Sequence, residues 1–339
     1  MIPEIHSAGA LSSPGATPYR TSEAGVQEGR GEKDLTVLMA TYRRSEILRG
    51  TLEAYRDLDE AGLRWKLVLV DNAGDAATER VTREVGMDLP LELAVEPRRG
   101  KNFALNRGLE LAEGDLYLFS DDDTLPAVDW LQQMWSGAQR SPDATMFTGR
   151  ILPCWPHGCE PLELRTDLLR SSYMVTAWGE EEGPITPDRM WGPNLAIRSA
   201  PFHDGYRFDT SIGPGAGQYA MGSELELTLR LAGDGHRGVY LPRAVVHHQI
   251  RPEQMGERWL SWRAYRSGRG VARLQGVPDV PRVFGVPRFV FREVGAHGWD
   301  WFVGWLNRDG TRRLDGKLAF FHWRGKLREY WRFRSEGDA

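Results

Sequence analysis

Residues 35–48 read LTVLMATYRRSEIL. Leu35 to Ala40 is a short continuous apolar run suited to a strand buried on both faces, and Thr41-Tyr42-Arg43-Arg44 after it reads as a polar turn. Ser45 caps the helix that follows, in which Leu48, Leu52 and Tyr55 recur at i, i+4 and i+7 as one apolar stripe ending near Gly62. The unit then repeats: a strand from Trp65 to Val70, the turn Asp71-Asn72-Ala73-Gly74, and a helix from Ala77 to Val85. Leu91 to Val95 is a third strand. A helix from about Lys101 to Ala112 leads to a fourth strand, Asp115 to Phe119, and then to Ser120-Asp121-Asp122-Asp123. Strands alternating with helices predict an α/β fold with a doubly wound, mostly parallel sheet of the Rossmann-like kind. In such sheets ligands sit beyond the carboxyl ends of the strands, where Thr41, Asp71 and the aspartates all fall.

The 339 residues are 41% apolar and 27% charged, as in an ordinary globular protein of one large domain or two. No apolar run reaches the length of a membrane span, and residues 1–33 lack the hydrophobic stretch of a signal peptide and read as a disordered leader. The expected location is cytoplasmic. The two cysteines, Cys154 and Cys159 around His157, are too few for a zinc site or a disulfide scaffold. The net charge of −4 conceals an asymmetry: residues 251–339 hold 18 Lys/Arg against 10 Asp/Glu, which is +8 and leaves −12 on residues 1–250. An acidic body of that kind does not attract nucleic acid. No G-x-G-x-x-G, Walker A or H-E-x-x-H sequence occurs, which removes the main support for hydride transfer, P-loop hydrolysis and zinc proteolysis.

Three successive aspartates repel one another, and a turn needs only one of them. A divalent cation relieves the repulsion, and Mg²⁺ or Mn²⁺ is commonly held by one or two carboxylates together with substrate phosphates. The competing reading is a solvated acidic turn that caps a helix over Ala127 to Trp135.

TVLMATYRRSEIL, LVLVDNAGD and GKNFALNRGLELAEGDLYLFSDDD, in that order, resemble the nucleotide-binding half of the family 2 glycosyltransferases, whose fold is called GT-A. GPNLAIR, GSELELTLRL and VYLPRAVVHHQIR extend the resemblance to about residue 270. It implies a GT-A domain over residues 34–250, with a nucleotide-binding half at 34–135 and an acceptor half at 136–250, followed by a helical extension at 251–339. It implies inverting transfer from a nucleotide-diphosphate sugar to a hydroxyl of a saccharide or a lipid-linked acceptor. Thr41, Arg43 and Asp71 would hold the nucleoside, Asp121 would lie near the ribose with Asp122 beside it, and Asp123 would carry Mg²⁺ or Mn²⁺. Lys101 and Asn106 would line the nucleotide side, and Trp191, Gly192 and Asn194 the acceptor or sugar pocket. The family has G-E-D-x-E-L-x-x-R-L where this chain has Ser223-Glu224, so Glu224 takes the place of the aspartate that acts as general base. His248 takes the metal-ligand place, and Arg251 can pair with a diphosphate as a bidentate donor.

Glu226 is the rival carboxylate, but Arg230 four residues on makes it a helix clasp. His247 and His248 are strand neighbours and face opposite ways, with His248 on the side of Ala244 and Val246. From Met255 the spacing is helical, with breaks expected at Gly268 and Gly270. Residues 311–334 interleave eight Lys/Arg with aromatics. That composition suits a peripheral contact with the inner face of a membrane, a homo-oligomer interface, or a cover over the acceptor cleft. A nucleotidyltransferase and a non-catalytic nucleotide-sugar binding module remain as other readings of the same strand-end carboxylates.

Overall fold

A computed structural model of the chain describes residues 33–215 and 221–337, with side chains to residue 334. The leader expected over residues 1–33 lies outside the described residues, apart from Lys33. The elements of the first half are β1 (Leu35–Thr41), α1 (Ser45–Arg56), β2 (Trp65–Asp71), α2 (Ala76–Val85), β3 (Leu91–Val95), α3 (Lys101–Leu109), β4 (Leu116–Asp121), β5 (Thr124–Pro126) and α4 (Trp130–Arg140). The second half continues with β6 (Met146–Cys154), α5 (Asp167–Ser172), β7 (Gly183–Ile185), β8 (Leu195–Arg198), α6 (Ala200–His203), α7 (Ser223–Gly233) and β9 (Gly238–Gln249). The extension comprises α8 (Glu257–Gln275), the short β10 (Arg282–Val283) and β11 (Val286–Pro287), α9 (Arg288–Leu306) and α10 (Gly310–Gly337).

Nine strands form one sheet in the order β3-β2-β1-β4-β8-β6-β9-β5, with β7 also pairing β9. The β3-β2-β1-β4 side is parallel, and β8 enters antiparallel between β4 and β6. The sheet is covered on both faces, which is why its central strands read as unbroken apolar runs. Alternate residues of β1 divide between two cores: Leu35, Val37 and Met39 pack with α1, α2 and α4, while Leu38 packs with α3 and α7. Pairing places Thr41 opposite Asp71 and Ala40 opposite Asp121, so the polar turns after β1, β2 and β4 meet at one edge.

The expected helix over Ala127 to Trp135 starts later, at Trp130, because Thr124–Pro126 pair with β9 as β5. The acidic turn therefore does not cap α4; it joins two strands and sets Thr124 opposite His248. In β9 the register against β6 jumps between Gly149 and Arg150, which skips Pro242, Arg243 and Ala244. Pro242 has no N–H for the ladder, and a bulge is where a sheet tolerates it.

The breaks expected at Gly268 and Gly270 do not occur: α8 runs unbroken through both. These glycines mark close approach. A Cβ on Gly268 would overlap the His322 carbonyl, one on Gly270 the Met221 carbonyl, and one on Gly325 of α10 the Tyr265 carbonyl. Glu257 pairs with Arg313 and Lys317, and Arg269 and Arg273 with Glu329, so α8 and α10 run side by side in the same direction. Gly268→Ala should cost about 1–3 kcal/mol of stability, since two backbones must separate. Gly295→Ala on α9, where nothing lies within 4 Å of a new Cβ, should be neutral or stabilising by up to about 1 kcal/mol. Urea titrations followed by tryptophan fluorescence compare the two.

Candidate active site

The aspartate turn fans its three carboxylates in different directions. Asp121, the last residue of β4, meets the Lys101 ammonium, with Nζ 2.6 Å from Oδ1. Asp122 turns under the first βα turn, accepting from Thr41 Oγ1 at 2.7 Å and from Arg44 Nη1 at 3.0 Å. Asp123 points toward β9, with Oδ1 3.6 Å from His248 Nε2 and Oδ2 at 3.2 Å from Arg44 and 3.6 Å from Arg251. Burial, and next the charge of Asp123, push the Asp122 carboxyl up to about 6. Burial also opposes the Asp123 charge, but His248, Arg44 and Arg251 hold that carboxyl well below the ordinary value. The pair thus divides into one strongly ionised carboxylate and one that gains a proton more readily.

Across the cleft, Glu224 lies in the first turn of α7, and its Oε1 is 2.6 Å from the same Lys101 Nζ. Burial opposes its charge, yet Lys101, its own backbone N–H and Arg263 overcome that and lower its pKa. It is a carboxylate at neutral pH, held at a helix N-terminus where the macrodipole favours a negative charge. Lys101 responds in kind: burial disfavours its ammonium, but Asp121 and Glu224 raise its pKa above the ordinary lysine value. Glu226 forms the clasp expected of it, at 2.9 Å from Arg230 Nε.

The loop before α7 is tied to α3. Lys101 N donates to the Pro214 carbonyl, Asn102 Nδ2 to that of Asp209, and Asn106 exchanges two bonds with the Phe208 backbone. Asn106 is therefore a clasp on this loop, and both ends of its amide are occupied there. Asn194 is likewise withdrawn from the acceptor pocket. Its Oδ1 accepts from Trp130 Nε1, and its Nδ2 donates to the Arg150 and Ala244 carbonyls that the β9 bulge leaves unpaired. Asp71 braces its own turn, accepting from the Ala73 and Asp75 N–H groups. Arg43, at φ 53°, turns from the cleft onto the Tyr42 ring, and the neighbouring Arg44 faces the aspartates in its place.

The remaining candidates share one cleft: Thr41, Lys101, the three aspartates, Trp191, Gly192, Glu224 and His248 line it, and Arg251 reaches Asp123 from its edge. Trp191 packs edge-on against Trp178, with its ring exposed to the cleft. Gly192 lies under Glu224, where a Cβ would collide with the carboxylate. Arg44 and Arg263 were not singled out in the sequence. The first is one of a tandem pair whose facing depends on a backbone dihedral, and the second comes from the extension.

The donor set around Asp123 suits a divalent cation. His248 Nδ1 is 2.9 Å from the Tyr173 carbonyl, an acceptor, so Nδ1 carries a proton, and in the neutral ring it is Nε2 that presents a lone pair toward Asp123. A carboxylate oxygen and an imidazole lone pair 3.6 Å apart, both buried, leave room for an ion that takes its other ligands from phosphate and water. Among the described residues no third His, Cys, Asp or Glu completes a closed cage.

A cleft of this kind, where acidic and basic groups meet at the carboxyl ends of parallel strands, is where an α/β sheet binds its ligand. Residues 36–156 match the family model described as glycosyl transferase family 2. Two relatives from Haloferax volcanii are similar along most of their length. One is a glucosyl-dolichyl phosphate glucuronosyltransferase, 22% identical over 242 residues, which are 69% of this chain and 75% of the relative. The other is the glycosyltransferase AglE, 22% identical over 70% of this chain and 72% of the relative. Among solved structures, the mannosyltransferase PcManGT from Pyrobaculum calidifontis, in complex with GDP-Man and Mn²⁺, superposes with a TM-score of 0.60 at 16% identity, covering 89% of this chain and 88% of that one. S. aureus TarS residues 1–349, in complex with UDP-GlcNAc, does so with a TM-score of 0.51 at 13% identity, covering 86% and 91%. The fold is that of the GT-A glycosyltransferases, and the matches support a family 2 glycosyltransferase.

Because Gly192 supports Glu224, Gly192→Ala should displace the carboxylate and lower turnover by about ten-fold or more, with nucleotide binding unchanged. Thermal shift with nucleotide and Mn²⁺, beside steady-state rates, tests both halves of that statement.

Proposed function

We propose that this chain transfers a sugar from a nucleotide-diphosphate donor to a hydroxyl of a saccharide or lipid-linked acceptor, with inversion and with Mg²⁺ or Mn²⁺. The carrying observation is that Glu224, an ionised carboxylate without a basic neighbour on its own helix, faces the Asp121–Asp123 edge across one cleft. Glu224 accepts the proton of the acceptor hydroxyl as its oxygen bonds to the anomeric carbon and the bond to the diphosphate breaks. Attack from the Glu224 side, opposite the departing diphosphate, accounts for inversion. Arg44 and Arg251 stand where negative charge develops on the leaving group, and Lys101 keeps Glu224 ionised and aimed. Asp123 and His248 are the residues that would hold the cation, whose chemistry is neutralisation of the diphosphate. The Mn²⁺ and GDP-Man of the Pyrobaculum structure support the cation and the donor class. The name of the first Haloferax relative supports a lipid-phosphate acceptor.

Glu224→Gln should retain nucleotide binding and lose transfer by about 10² or more. EDTA, or Asp123→Asn, should abolish transfer and leave the unfolding curve in place. Full turnover by Glu224→Gln would remove the base assignment, and full turnover in EDTA the cation.

The same reading includes a peripheral place at the inner face of a membrane. Among the described residues no helix is long and apolar enough to cross a bilayer. One face of α9, however, exposes Trp299, Phe302, Trp305 and Leu306, and the rings of the first three follow one another at 5.8 and 6.3 Å. Aromatic side chains beside arginines suit the headgroup boundary. The double variant Trp299→Ser, Trp305→Ser should lose sedimentation with phosphatidylglycerol vesicles. If the face is instead a homo-oligomer interface, sedimentation stays and the mass in light scattering falls.

A further inference from the structure

The cleft does not end at Glu224. It continues between α8 and α10, lined on one side by Arg263, Ser267 and Val271 and on the other by His322 and Lys326. The two helices are in register there, since His322 backs onto Gly268 and Gly325 onto Tyr265. The acids of this stretch are already engaged, Asp300 with Arg312 and Asp315 with Arg165. The cations Arg263 and Lys326 lie instead against aromatic rings, those of Trp259 and Trp323. Arg263 has a buried Nε without a hydrogen-bond partner, and on the other wall burial lowers the His322 imidazole to about 3, so that ring is neutral. The Lys326 ammonium sits 4.5 Å over the Trp323 ring, where burial disfavours its charge. Buried donors without acceptors are costly and rare in folded proteins. Here the Arg263 Nε–H and the Lys326 ammonium line one open cleft, so a single anion can pair with both.

The surroundings specify the anion further. Beyond the cations the wall becomes apolar, with Val271, Leu274, Phe289 and Trp323 lining the same cleft. A free sugar would leave these side chains without a partner, and a bare phosphate would use only the cations. A phosphate ester of an apolar alcohol matches both. Arg263 also acts on Glu224 electrostatically, so the anion and the reacting hydroxyl fall within one acceptor.

We propose that the extension provides an acceptor-phosphate subsite, in which Arg263 and Lys326 bind the phosphate and Val271, Leu274, Phe289 and Trp323 receive the first isoprene-like units of its chain. The assignment rests on the proposed transfer to a lipid-linked acceptor and adds the residues that recognise it. Charge-assisted hydrogen bonds to phosphate carry most of the affinity, and the apolar lobe separates a lipid phosphate from a free one.

The test uses the full chain and three probes: geranyl phosphate, geraniol and inorganic phosphate, titrated by calorimetry. UDP and GDP with Mn²⁺ are titrated into the same samples. Geranyl phosphate should bind at least about ten-fold more tightly than geraniol or inorganic phosphate. Arg263→Gln and Lys326→Gln should each weaken it about ten-fold or more, while Lys326→Arg retains it. Nucleotide binding by the same variants should be unchanged, which establishes that they are folded. Equal affinity of wild type and both glutamine variants for geranyl phosphate overturns the subsite. Inorganic phosphate binding as tightly as geranyl phosphate overturns the lipid source and leaves an anion site alone. Loss of nucleotide binding by the wild type would count against the transfer reading instead, whatever geranyl phosphate does.

Discussion

Asp121 ends a strand of the nucleotide-binding half, Glu224 opens a helix of the second half, and the Lys101 ammonium lies within 2.6 Å of both. All three groups are largely removed from water. A buried charge without its partner is far less stable than a satisfied cluster, so each member enforces the position of the others. The backbone around them is arranged to match. Lys101 begins α3, and that helix holds residues 208–214 through Lys101 N, Asn102 and Asn106, so the loop that delivers α7 is fastened to the element that carries the shared cation. The two halves are registered by electrostatics at the cleft and by amide clasps just behind it.

The same reasoning accounts for three consecutive aspartates in a folded protein. Their repulsion is reduced by cationic neighbours: Lys101 for the first, Arg44 for the second and third, and Arg251 for the third as well. The divergence comes from topology. Asp121 is the last pleated residue of β4 and Thr124 the first of β5, so the two residues between them must reverse the chain and point away from each other. What remains is an uneven pair, Asp122 raised and Asp123 lowered, which is the distribution expected of adjacent carboxylates that share too little positive charge.

The parallel half of the sheet was legible because its strands are buried on both faces and are interrupted by polar turns at the same end; periodicity reports both facts directly. His248 was legible for a similar reason, since alternation along β9 fixes which of two adjacent histidines faces inward. Other assignments depended on pairing between distant segments. Nothing local to residues 124–126 announces a strand, because β5 exists through β9. Asn194 was placed in the pocket although it fills the gap opened by the bulge at Pro242, and a bulge is a property of two strands together. Arg43 and Arg44 are chemically equivalent as letters, and only the left-handed backbone at Arg43 decides that the second faces the aspartates. Glycine in the extension was ambiguous in the same way: it breaks an isolated helix, but it also permits two helix backbones to touch, and the sequence of one helix does not contain its neighbour.

That contact changes the meaning of the extension's charge. A surplus of +8 over residues 251–339 suggests a basic arm facing solvent, yet much of it is engaged internally. Arg269 and Arg273 converge on Glu329, which is wholly buried, and Arg313 and Lys317 converge on Glu257. These pairs fasten α10 to α8, and Leu260 and Ala264 of α8 share a core with Leu169 and Tyr173 beside α5. Tyr173 in turn supplies the carbonyl that orients His248. The extension is therefore continuous, through packed side chains, with the wall behind Asp123 and His248, and it forms the far wall of the cleft as well. Its aromatic residues divide accordingly: Trp301 faces inward onto Phe320 and Phe321, while Trp299, Phe302 and Trp305 face out. One helix thus presents an apolar surface to the exterior while its other side closes the cleft, an arrangement suited to the amphipathic acceptor proposed above.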